Sequence, residues 1–469
     1  MTAPRPRRVV IVGGGISGLA AAHRCIQRAR DSGTDAQVTL IERGAALGGV
    51  IRSVHREGFL LEDGPDQFIT TKPEMLELVR QLGLEEKLQE PREAHRRALV
   101  VRRGRLMPIP AGFRLMAPGR WGPVLRSPLF SWRGKLRMAG ERFVPRKSGG
   151  EDEAVADFVV RRFGREALER LVQPLVGGIY TADANRLSLR ATLPQFGEME
   201  QQYGSVSRGM RERAVGAESD DAGARYSLFL SFEDGMQTLV DGLVGNLNPV
   251  NVELGRTACA VRRGGGGGWE VHCEDGGVLD GDGVILALPA FAAADLLGDC
   301  DAELAASLAS IEYASSAVIN LGFNQADVPD PLEAFGFVVP AAENRRLLAA
   351  SYSSSKYAGR APADHVLLRA FVGGALQPEL LEYDDEKLIG LAREELGELL
   401  GIGGEPVITT VARWPRSMPQ YTVGHRERVE SILGQLAAHD GLGLAGSAYD
   451  GVGIPDCIRS GQAAAEGLF

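Results

Sequence analysis

The sequence predicts an α/β fold that opens with a parallel βαβ unit. An apolar run at 9–12 meets a glycine cluster, a stretch with helical periodicity follows at 16–30, and a second apolar run occupies 38–41. Continuous runs rich in β-branched residues are typical of strands buried on both faces of a parallel sheet. A helix between two such strands is the crossover that parallel pairing needs. The length of 469 residues predicts two or three domains.

Composition excludes several classes of function. The hydrophobic content of 44% and the charged content of 24% are typical of a globular protein. The net charge of −9 argues against general nucleic-acid binding, which needs a basic face. The five cysteines form no CxxC pair, which predicts reduced thiols, no metal site and a cytoplasmic location. No run approaches the roughly 18 apolar residues that span a bilayer.

The remaining elements are predicted from periodicity and turn residues. Helical patterns cover 153–200 and 384–401, and a weakly patterned stretch at 204–225 predicts a loop. Strands are predicted in a hairpin at 256–280, in the first sheet at 284–288 and 442–445, and in a second sheet at 313–323, 335–340 and 366–372.

The glycine cluster predicts a nucleotide site. Gly13, Gly14, Gly15, Ile16, Ser17 and Gly18 match GxGxxG, in which glycines allow a tight turn, backbone approach to a pyrophosphate, and helix–strand packing. The helix start presents free N–H groups to the phosphates. Glu42 ends the second strand 24 residues after Gly18, where a carboxylate holds ribose hydroxyls. The alternative is a glycine-rich loop without a ligand, and the motif alone does not separate NAD from FAD.

A second glycine pair favours FAD. Gly48 and Gly49 follow the acidic residue closely, which resembles the FAD-binding amine-oxidase and desaturase superfamily. Most members carry Arg two residues before that pair. Ala46 stands there in this chain, so one phosphate or flavin contact of the family is in doubt, and Arg52 is the candidate that compensates.

Five further segments resemble the protoporphyrinogen and coproporphyrinogen oxidases, and the similarity runs from about residue 8 to the C-terminus. The segments are Glu62-Asp63-Gly64-Pro65-Asp66-Gln67-Phe68, residues 174–180 (PLVGGIY), residues 187–194 (LSLRATLP), residues 413–425 from Arg413-Trp414 to His425, and residues 449–458 (YDGVGIPDCI).

This resemblance implies an FAD enzyme of haem biosynthesis that acts on CH–CH groups and oxidises a porphyrinogen to a porphyrin. Six electrons leave in three two-electron steps as hydride passes to the flavin, and dioxygen becomes hydrogen peroxide. Because the cofactor carries the reactivity, no catalytic side chain is assigned. The implied fold is amine-oxidase-like. It has a Rossmann-like FAD-binding domain (1–80, 230–300 and 405–469), a substrate domain on a mixed sheet (80–92, 205–230 and 300–405) and a mostly helical domain (92–205).

The resemblance and the motifs together give the candidate site residues. Those expected at the cofactor are Gly13, Gly14, Gly15, Ile16, Ser17, Gly18, Glu42, Arg43, Gly49, Val50, Arg52, Gly64, Pro65, Asp66, Gln67, Cys259, Trp414, Gly451, Val452, Gly453 and Ile454. Those expected at the substrate are Lys72, Gly178, Ile179, Val338 and Tyr357, the last with an ordinary exposed loop tyrosine as its alternative. His425 is expected to be a hydrogen-bonded structural residue.

The choice of porphyrinogen depends on two features. Lys72 matches a lysine that bacterial coproporphyrinogen oxidases use for a substrate carboxylate, with a solvated lysine at a helix start as the alternative. Ala98 stands where protoporphyrinogen-type members commonly have Arg. Coproporphyrinogen III is therefore favoured over protoporphyrinogen IX. More distant alternatives are a flavin amine oxidase, a carotenoid desaturase, and a flavin-binding carrier without turnover.

The region 92–146 combines many arginines with aromatic residues such as Phe113, Trp121, Phe130 and Trp132. The family's helical domain often contacts membranes, so this region is a candidate for peripheral contact with anionic lipid. A basic rim over a substrate channel is an equal alternative. The expected partners are the porphyrinogen and dioxygen, with a ferrochelatase as a candidate recipient of the product. The oligomeric state stays open.

Overall fold

A computed structural model describes residues 5–212 and 228–469. Its first sheet is parallel, with the glycine turn at the end of the central strand. The strands in spatial order are Asn251–Leu254, Ala36–Glu42, Arg7–Val12, Gly283–Leu286 and Leu442–Leu444. The βαβ prediction is confirmed, with the connecting helix at Ile16–Ser32. The strand predicted at 442–445 is confirmed as the edge of this sheet.

Both faces of the first sheet are covered, which is why its central strands carry apolar runs at 9–12 and Gly283–Leu286. One face packs against the helices Ile16–Ser32, Pro73–Gln81, Gln237–Gly245 and Ile454–Glu466. The other face packs against the antiparallel strands Ala258–Arg263, Trp269–Cys273 and Val278–Gly281 and the helices Ala290–Leu297, Ala302–Ala309 and His425–Leu436. The hairpin predicted at 256–280 is therefore confirmed, with a third strand added.

A second sheet has seven strands and is mixed, as predicted. In spatial order they are Ile408–Pro419, Tyr313–Asn324, His365–Gly373, Ala349–Tyr352, Gly336–Val338, Ala98–Arg102 and Arg105–Pro108. Only the pair Gly336–Val338 with Ala98–Arg102 is parallel among these described strands. The helix Asp385–Leu400 packs on this sheet and caps its own start with Asp384.

The third layer is helical. It comprises Trp121–Arg126, Trp132–Ala139, Val155–Phe163, Arg165–Ala167, a π-turn at Leu168–Val172, Gln173–Tyr180, Leu189–Thr192 and Pro194–Tyr203. A further helix covers 206–212, so the loop predicted at 204–225 is wrong for that part, and 213–227 lie outside the described residues.

Three small pairings and several short elements complete the fold. They are the sheet Phe68–Ile69, Phe229–Phe232 and Leu88–Gln89, the pairs Ser53–Arg56 with Phe59–Glu62 and Phe113–Arg114 with Ala117–Pro118, and the short helix Ser353–Lys356.

The second sheet crosses two of the domain boundaries drawn from the sequence. Its strands at 98–102 and 105–108 fall in the stretch assigned to the helical domain, and the whole of Ile408–Pro419 falls in the stretch assigned to the cofactor domain. Domain boundaries at residues 92 and 405 therefore separate strands that are hydrogen-bonded in one sheet. The physical reason is that a strand joins a sheet by lateral pairing, which local composition does not reveal. The three-domain division otherwise stays a prediction.

Candidate functional site

The turn after the central strand is built from glycines that have different tasks. Gly13 has a φ of 107°, and a methyl group there would lie 2.4 Å from the carbonyl oxygen of Ala287. A methyl group at Gly18 would lie 1.9 Å from the carbonyl oxygen of Gly13. A methyl group at Gly15 would meet nothing within 4 Å. Gly13 and Gly18 therefore allow close packing, whereas Gly15 faces open space beside the helix start.

The helix that starts at Ile16 offers its N-terminus to a ligand. Gly15 is the N-cap, no side chain caps the helix, and no acidic residue stands in the first turn. The first N–H groups of a helix lack intrahelical partners, and the helix dipole makes this end positive. Gly15 and the free N–H groups form a cradle that fits a phosphate.

Glu42 is fixed at the end of the second strand. Its two carboxylate oxygens accept from the N–H groups of Gly14 and Gly44, each at 2.7 Å. Each oxygen keeps a lone pair for a further donor, so the carboxylate fits a ribose diol. Its backbone carbonyl accepts from the Arg256 N–H at 2.9 Å, which brings the segment before Cys259 alongside. Arg43 and the Cys259 thiol are exposed next to this position.

The second glycine pair packs directly on the first turn. The Gly48 N–H donates to the Gly14 carbonyl at 2.8 Å, and a methyl group at Gly49 would lie 3.2 Å from the Gly15 Cα. A methyl group at Gly64 would lie 1.8 Å from the carbonyl oxygen of Val50. The chain thus places Gly64 and its neighbour Pro65 against the exposed Val50, beside the nucleotide turn.

Two side chains hold the segment from Asp63 onward. The Trp414 indole N–H donates to the Asp63 carbonyl at 2.7 Å. The Arg52 guanidinium lies 3.4 Å from the Asp63 carboxylate, and its own side chain is mostly exposed. Arg52 therefore reaches the 62–68 segment, and its expected role as a replacement for the family arginine stays a prediction.

The loop before the last helix closes the same side of the site. Gly451 has a φ of 106°, and its N–H donates to the Tyr421 hydroxyl at 2.8 Å. A methyl group at Gly461 would lie 2.1 Å from the Ser17 carbonyl oxygen, so the last helix packs tightly on the first. The N-terminus at Ile454, capped by Gly453, therefore lies near the first helix N-terminus, with Val452 packed toward the helical layer.

A group of buried charges lies behind this segment. The Lys356 ammonium donates to the Asp66 carboxylate at 3.0 Å, and the Arg369 guanidinium lies 3.3 Å from it. Burial by itself raises the pKa of Asp66, but these two cations hold that pKa well below its ordinary value. The Arg369 guanidinium also donates to the Gly64 carbonyl. The cluster thereby fixes the backbone of the 62–68 segment.

Glu62 lies in the same interior. It is 2% exposed and accepts from the Ser53 hydroxyl at 2.7 Å and from the Met236 N–H at 2.9 Å. Burial raises its pKa from 4.5 to about 7, against the opposing effect of these two donors. Glu62 is therefore a carboxyl group that titrates near neutral pH.

The residues expected at the substrate are partly brought together. A methyl group at Gly178 would lie 3.7 Å from the Val338 Cγ1, so the helix Gln173–Tyr180 packs next to the strand Gly336–Val338. Ile179, the next residue on that helix, is 48% exposed. Asp456 contributes to a raised pKa of about 12 at Tyr180, after burial as the main cause, so the last helix lies near as well.

Lys72 and Tyr357 have partners that the sequence did not reveal. The Lys72 ammonium contacts both oxygens of Asp456, at 2.5 and 2.6 Å, while its side chain is 40% exposed at the helix start, and its contact with a substrate carboxylate stays a prediction. Tyr357 is 1% exposed, and its hydroxyl donates to the Gln67 side chain at 3.1 Å. The alternative of an exposed loop tyrosine is therefore wrong, and contact of Tyr357 with a substrate stays a prediction.

His425 is a structural residue, as expected. It is buried, stacks on Tyr421 with ring centroids 3.9 Å apart, and its Nε2 lies 3.3 Å from the Tyr449 carbonyl. Burial lowers its pKa to about 4, so the ring is neutral at pH 7.

Sequence reasoning missed Lys356, Arg369 and Tyr421 as residues that position the site. Arg369 had a visible signal, because it interrupts the apolar strand His365–Gly373, and a buried arginine requires partners. Lys356 and Tyr421 had no such signal.

Comparison with known proteins identifies the class. Residues 16–468 match the family described as flavin containing amine oxidoreductase, and the chain belongs to this family. The family defines a flavin-dependent oxidoreductase, in agreement with the prediction of an enzyme.

The relatives are more specific. The chain is 35% identical to coproporphyrinogen III oxidase of Bacillus subtilis (strain 168) over 460 residues, 98% of this chain and 97% of the relative. It is 34% identical to the coproporphyrinogen III oxidase of Propionibacterium freudenreichii, over 98% of this chain and 90% of the relative. It is 28% identical to protoporphyrinogen oxidase 2, chloroplastic/mitochondrial, of Arabidopsis thaliana, over 98% and 93%.

Solved structures agree with the amine-oxidase-like fold. A crystal structure from Exiguobacterium sp. 255-15 matches with a TM-score of 0.87 and 31% identity, over 99% of both chains. A putrescine oxidase variant matches with a TM-score of 0.68 and 17% identity over 98% of both chains, a likeness of fold alone.

Proposed function

We propose that this protein oxidises coproporphyrinogen III to coproporphyrin III, with FAD as its flavin and dioxygen as the electron acceptor. The observation that carries the proposal is the Lys72 cation, which lies against the same helix start that ends the Gly451–Gly453 loop. The full-length similarity to coproporphyrinogen III oxidases supports it. The substrate loses six electrons and six protons, and three dioxygen molecules take them up as three molecules of hydrogen peroxide.

The residues present fit FAD. The open face of Gly15 and the bare helix N-terminus suit a pyrophosphate, and the Glu42 carboxylate suits a ribose. The Gly64 backbone, held by Arg369, and the last helix N-terminus lie beyond that turn, where the flavin ring would extend. When bound, FAD supplies the acceptance of hydride.

The protein's own task is then to bind and orient the macrocycle. Lys72 would hold a propionate carboxylate by a charge-assisted hydrogen bond. Gly178 and Val338, which lie side by side on neighbouring elements, would contact the flat ring. The neighbouring Tyr180 is not expected to act as an acid or a base, because burial raises its pKa to about 12 and keeps its hydroxyl neutral.

Protoporphyrinogen IX is the second candidate substrate, and the similarity to the Arabidopsis protoporphyrinogen oxidase favours it. Its two carboxylates, against four in coproporphyrinogen, give fewer partners for cations. Handover of the product to a ferrochelatase stays a prediction of the family resemblance.

An anaerobic titration tests the class of reaction. Porphyrinogen added to the flavin-loaded protein without oxygen should bleach the flavin absorption while porphyrin fluorescence appears. Admission of air should restore the flavin spectrum and release peroxide. Chromatography of the cofactor released by heat should give FAD. A protein that binds flavin but shows neither bleaching nor fluorescence is a carrier, and the proposal is then wrong.

A Lys72→Ala variant tests the substrate contact. Loss of one charge-assisted hydrogen bond should raise KM for coproporphyrinogen about tenfold. Lys147→Ala is the matched control, because its ammonium contacts the Glu151 carbonyl and the Glu153 carboxylate instead. Unchanged KM and kcat in Lys72→Ala would remove Lys72 from the site.

Peripheral contact with anionic lipid is the second part of the proposal. Trp132 and Leu136 are four residues apart on the helix Trp132–Ala139 and are 70% and 72% exposed, and Phe143 is 75% exposed. The Arg142 guanidinium lies 4.6 Å from the Phe143 ring centroid, whereas Lys135, next to the Trp132 ring, is buried and donates to the Leu125 carbonyl at 2.7 Å. Exposed apolar groups beside an arginine suit an anionic membrane surface.

This surface differs from the one expected. Phe130 is buried in the helical core and Phe113 packs against it, so they do not contribute an exposed face. Among the helices of residues 5–212 and 228–469, none combines the length and the apolar character that a membrane span needs. Co-sedimentation with phosphatidylglycerol vesicles should decrease in Trp132→Ala/Phe143→Ala, while uncharged phosphatidylcholine vesicles should bind neither protein. Equal binding by both proteins would refute the contact.

A further inference from the structure

The Lys72 ammonium has a buried counterion. Lys72 stands at the start of the helix Pro73–Gln81, and its side chain is 40% exposed. Asp456 is 4% exposed at the side chain and contacts the ammonium through both oxygens. A ligand that approaches from solvent therefore meets the lysine and not the carboxylate beneath it.

Asp456 is held in place without the help of Lys72. It is the third residue of the last helix, and its carboxylate accepts from the Arg459 guanidinium at 2.9 Å and from the Gly453 N–H at 3.3 Å. A methyl group at Gly451 would lie 2.3 Å from the carboxylate carbon, so the loop backbone closes over it. The Asp456 carboxylate is therefore held in one position, and the flexible Lys72 side chain is hydrogen-bonded to it.

The number of N–H donors on the Lys72 ammonium determines how many remain for a ligand once Asp456 is bound. A lysine ammonium has three N–H donors and no acceptor. The two oxygens of Asp456 engage two of them, so the third is left for a group on the exposed side of Lys72. A flexible lysine loses rotamer freedom when it is fixed, and here Asp456 has fixed it before a ligand arrives.

We propose that Asp456 is a positioning residue, which orients Lys72 so that its third N–H meets a substrate carboxylate. The inference rests on the proposed function. Asp456 also bonds the Gly453 N–H, so the same carboxylate links the substrate contact to the loop expected at the flavin. Asp456 does not touch the substrate; it acts through Lys72.

A double-mutant cycle tests this inference. Asp456→Asn, Lys72→Ala and the double variant are each loaded with flavin, and kcat/KM for coproporphyrinogen III and the Kd for coproporphyrin III are measured. Asp456→Asn alone should lower kcat/KM about tenfold at full flavin content. In the Lys72→Ala background the same change should have no further effect, because the residue it positions is gone. Glu312→Gln, at an exposed pair with Arg186, is the control and should behave as wild type.

Three outcomes would overturn the inference, and a fourth would overturn the proposed function. An equal tenfold loss in both backgrounds would overturn the inference, because Asp456 would then act independently of Lys72. An unchanged Asp456→Asn enzyme would also overturn it, as would loss of bound flavin in that variant, which would assign the carboxylate to the cofactor loop alone. Failure of the proposed function is distinguished by the wild type, which would then oxidise no porphyrinogen.

Discussion

The candidate site has two walls, one expected at the cofactor and one at the substrate, and they are formed by different kinds of group. The cofactor wall, residues 13–18, 48–50 and 64, is mostly backbone, and its close contacts are between main-chain atoms. The proposed substrate wall, with Lys72, Asp456, Gly178 and Val338, depends on a salt bridge and on the packing of a helix next to a strand. The cofactor wall should therefore be sensitive to any added side-chain atom, whereas the substrate wall should be sensitive to charge.

The largest effect is expected at Gly18. Gly18→Ala would insert a methyl group 1.9 Å from the Gly13 carbonyl oxygen, which forces the helix away from the strand. We expect loss of bound flavin and destabilisation of about 3 kcal/mol or more. Flavin content and urea unfolding measure both.

Gly15→Ala is the matched control, because a methyl group there meets nothing within 4 Å. It should leave the stability of the flavin-free protein unchanged and weaken flavin binding only. Equal destabilisation by both substitutions would break the distinction between packing glycines and the phosphate-facing glycine.

The next largest effect is expected behind the cofactor wall. Lys356→Met would remove one of the two cations that contact the Asp66 carboxylate, in a position where the lysine is 5% exposed. Breaking a buried ion pair should cost about 3 kcal/mol of unfolding free energy. Lys387→Met, at an exposed helix start, is the control. Thermal and urea unfolding of the two variants would compare them, and equal stability would show that Arg369 alone satisfies Asp66.

A smaller effect, dependent on pH, is expected at Glu62. Its folded pKa of about 7 lies above its ordinary 4.5, so between these values the folded state binds more protons than the unfolded state. The free energy of unfolding should therefore fall as pH rises from 4.5 to 7, by about 2 to 3 kcal/mol from this group. Glu62→Gln should remove that part of the slope in urea unfolding measured across the range. An identical slope in the variant would assign it to other groups.

The two walls also differ in how far the sequence predicts them. The cofactor wall follows from local spacing, because GxGxxG, a strand, a helix and Glu42 lie within one stretch of chain. The residues that contact one another in this wall belong mostly to that same stretch. The resemblance of the later motifs extended the prediction from a nucleotide site to a flavoprotein family, and the match over residues 16–468 confirms the family.

Lys72, Gly178 and Val338 could be named from the sequence, but Asp456 was not named as a site residue and the contacts among them could not be predicted. Lys72 and Asp456 are separated by 384 residues, and nothing in local spacing brings them together. The same limit explains the strands at 98–108, which join a sheet whose other strands lie beyond residue 313. Buried charges such as Lys356 also depend on tertiary packing, since the sequence gives no sign of the depth at which a lysine lies.

The most direct test of the account is a comparison of kcat/KM for coproporphyrinogen III and protoporphyrinogen IX, measured under air by porphyrin fluorescence with peroxide as a second readout. The pairing of Lys72 with a substrate carboxylate predicts the higher value for coproporphyrinogen III, with a selectivity that falls in Lys72→Ala. A far higher value for protoporphyrinogen IX, unaffected by Lys72→Ala, would contradict it.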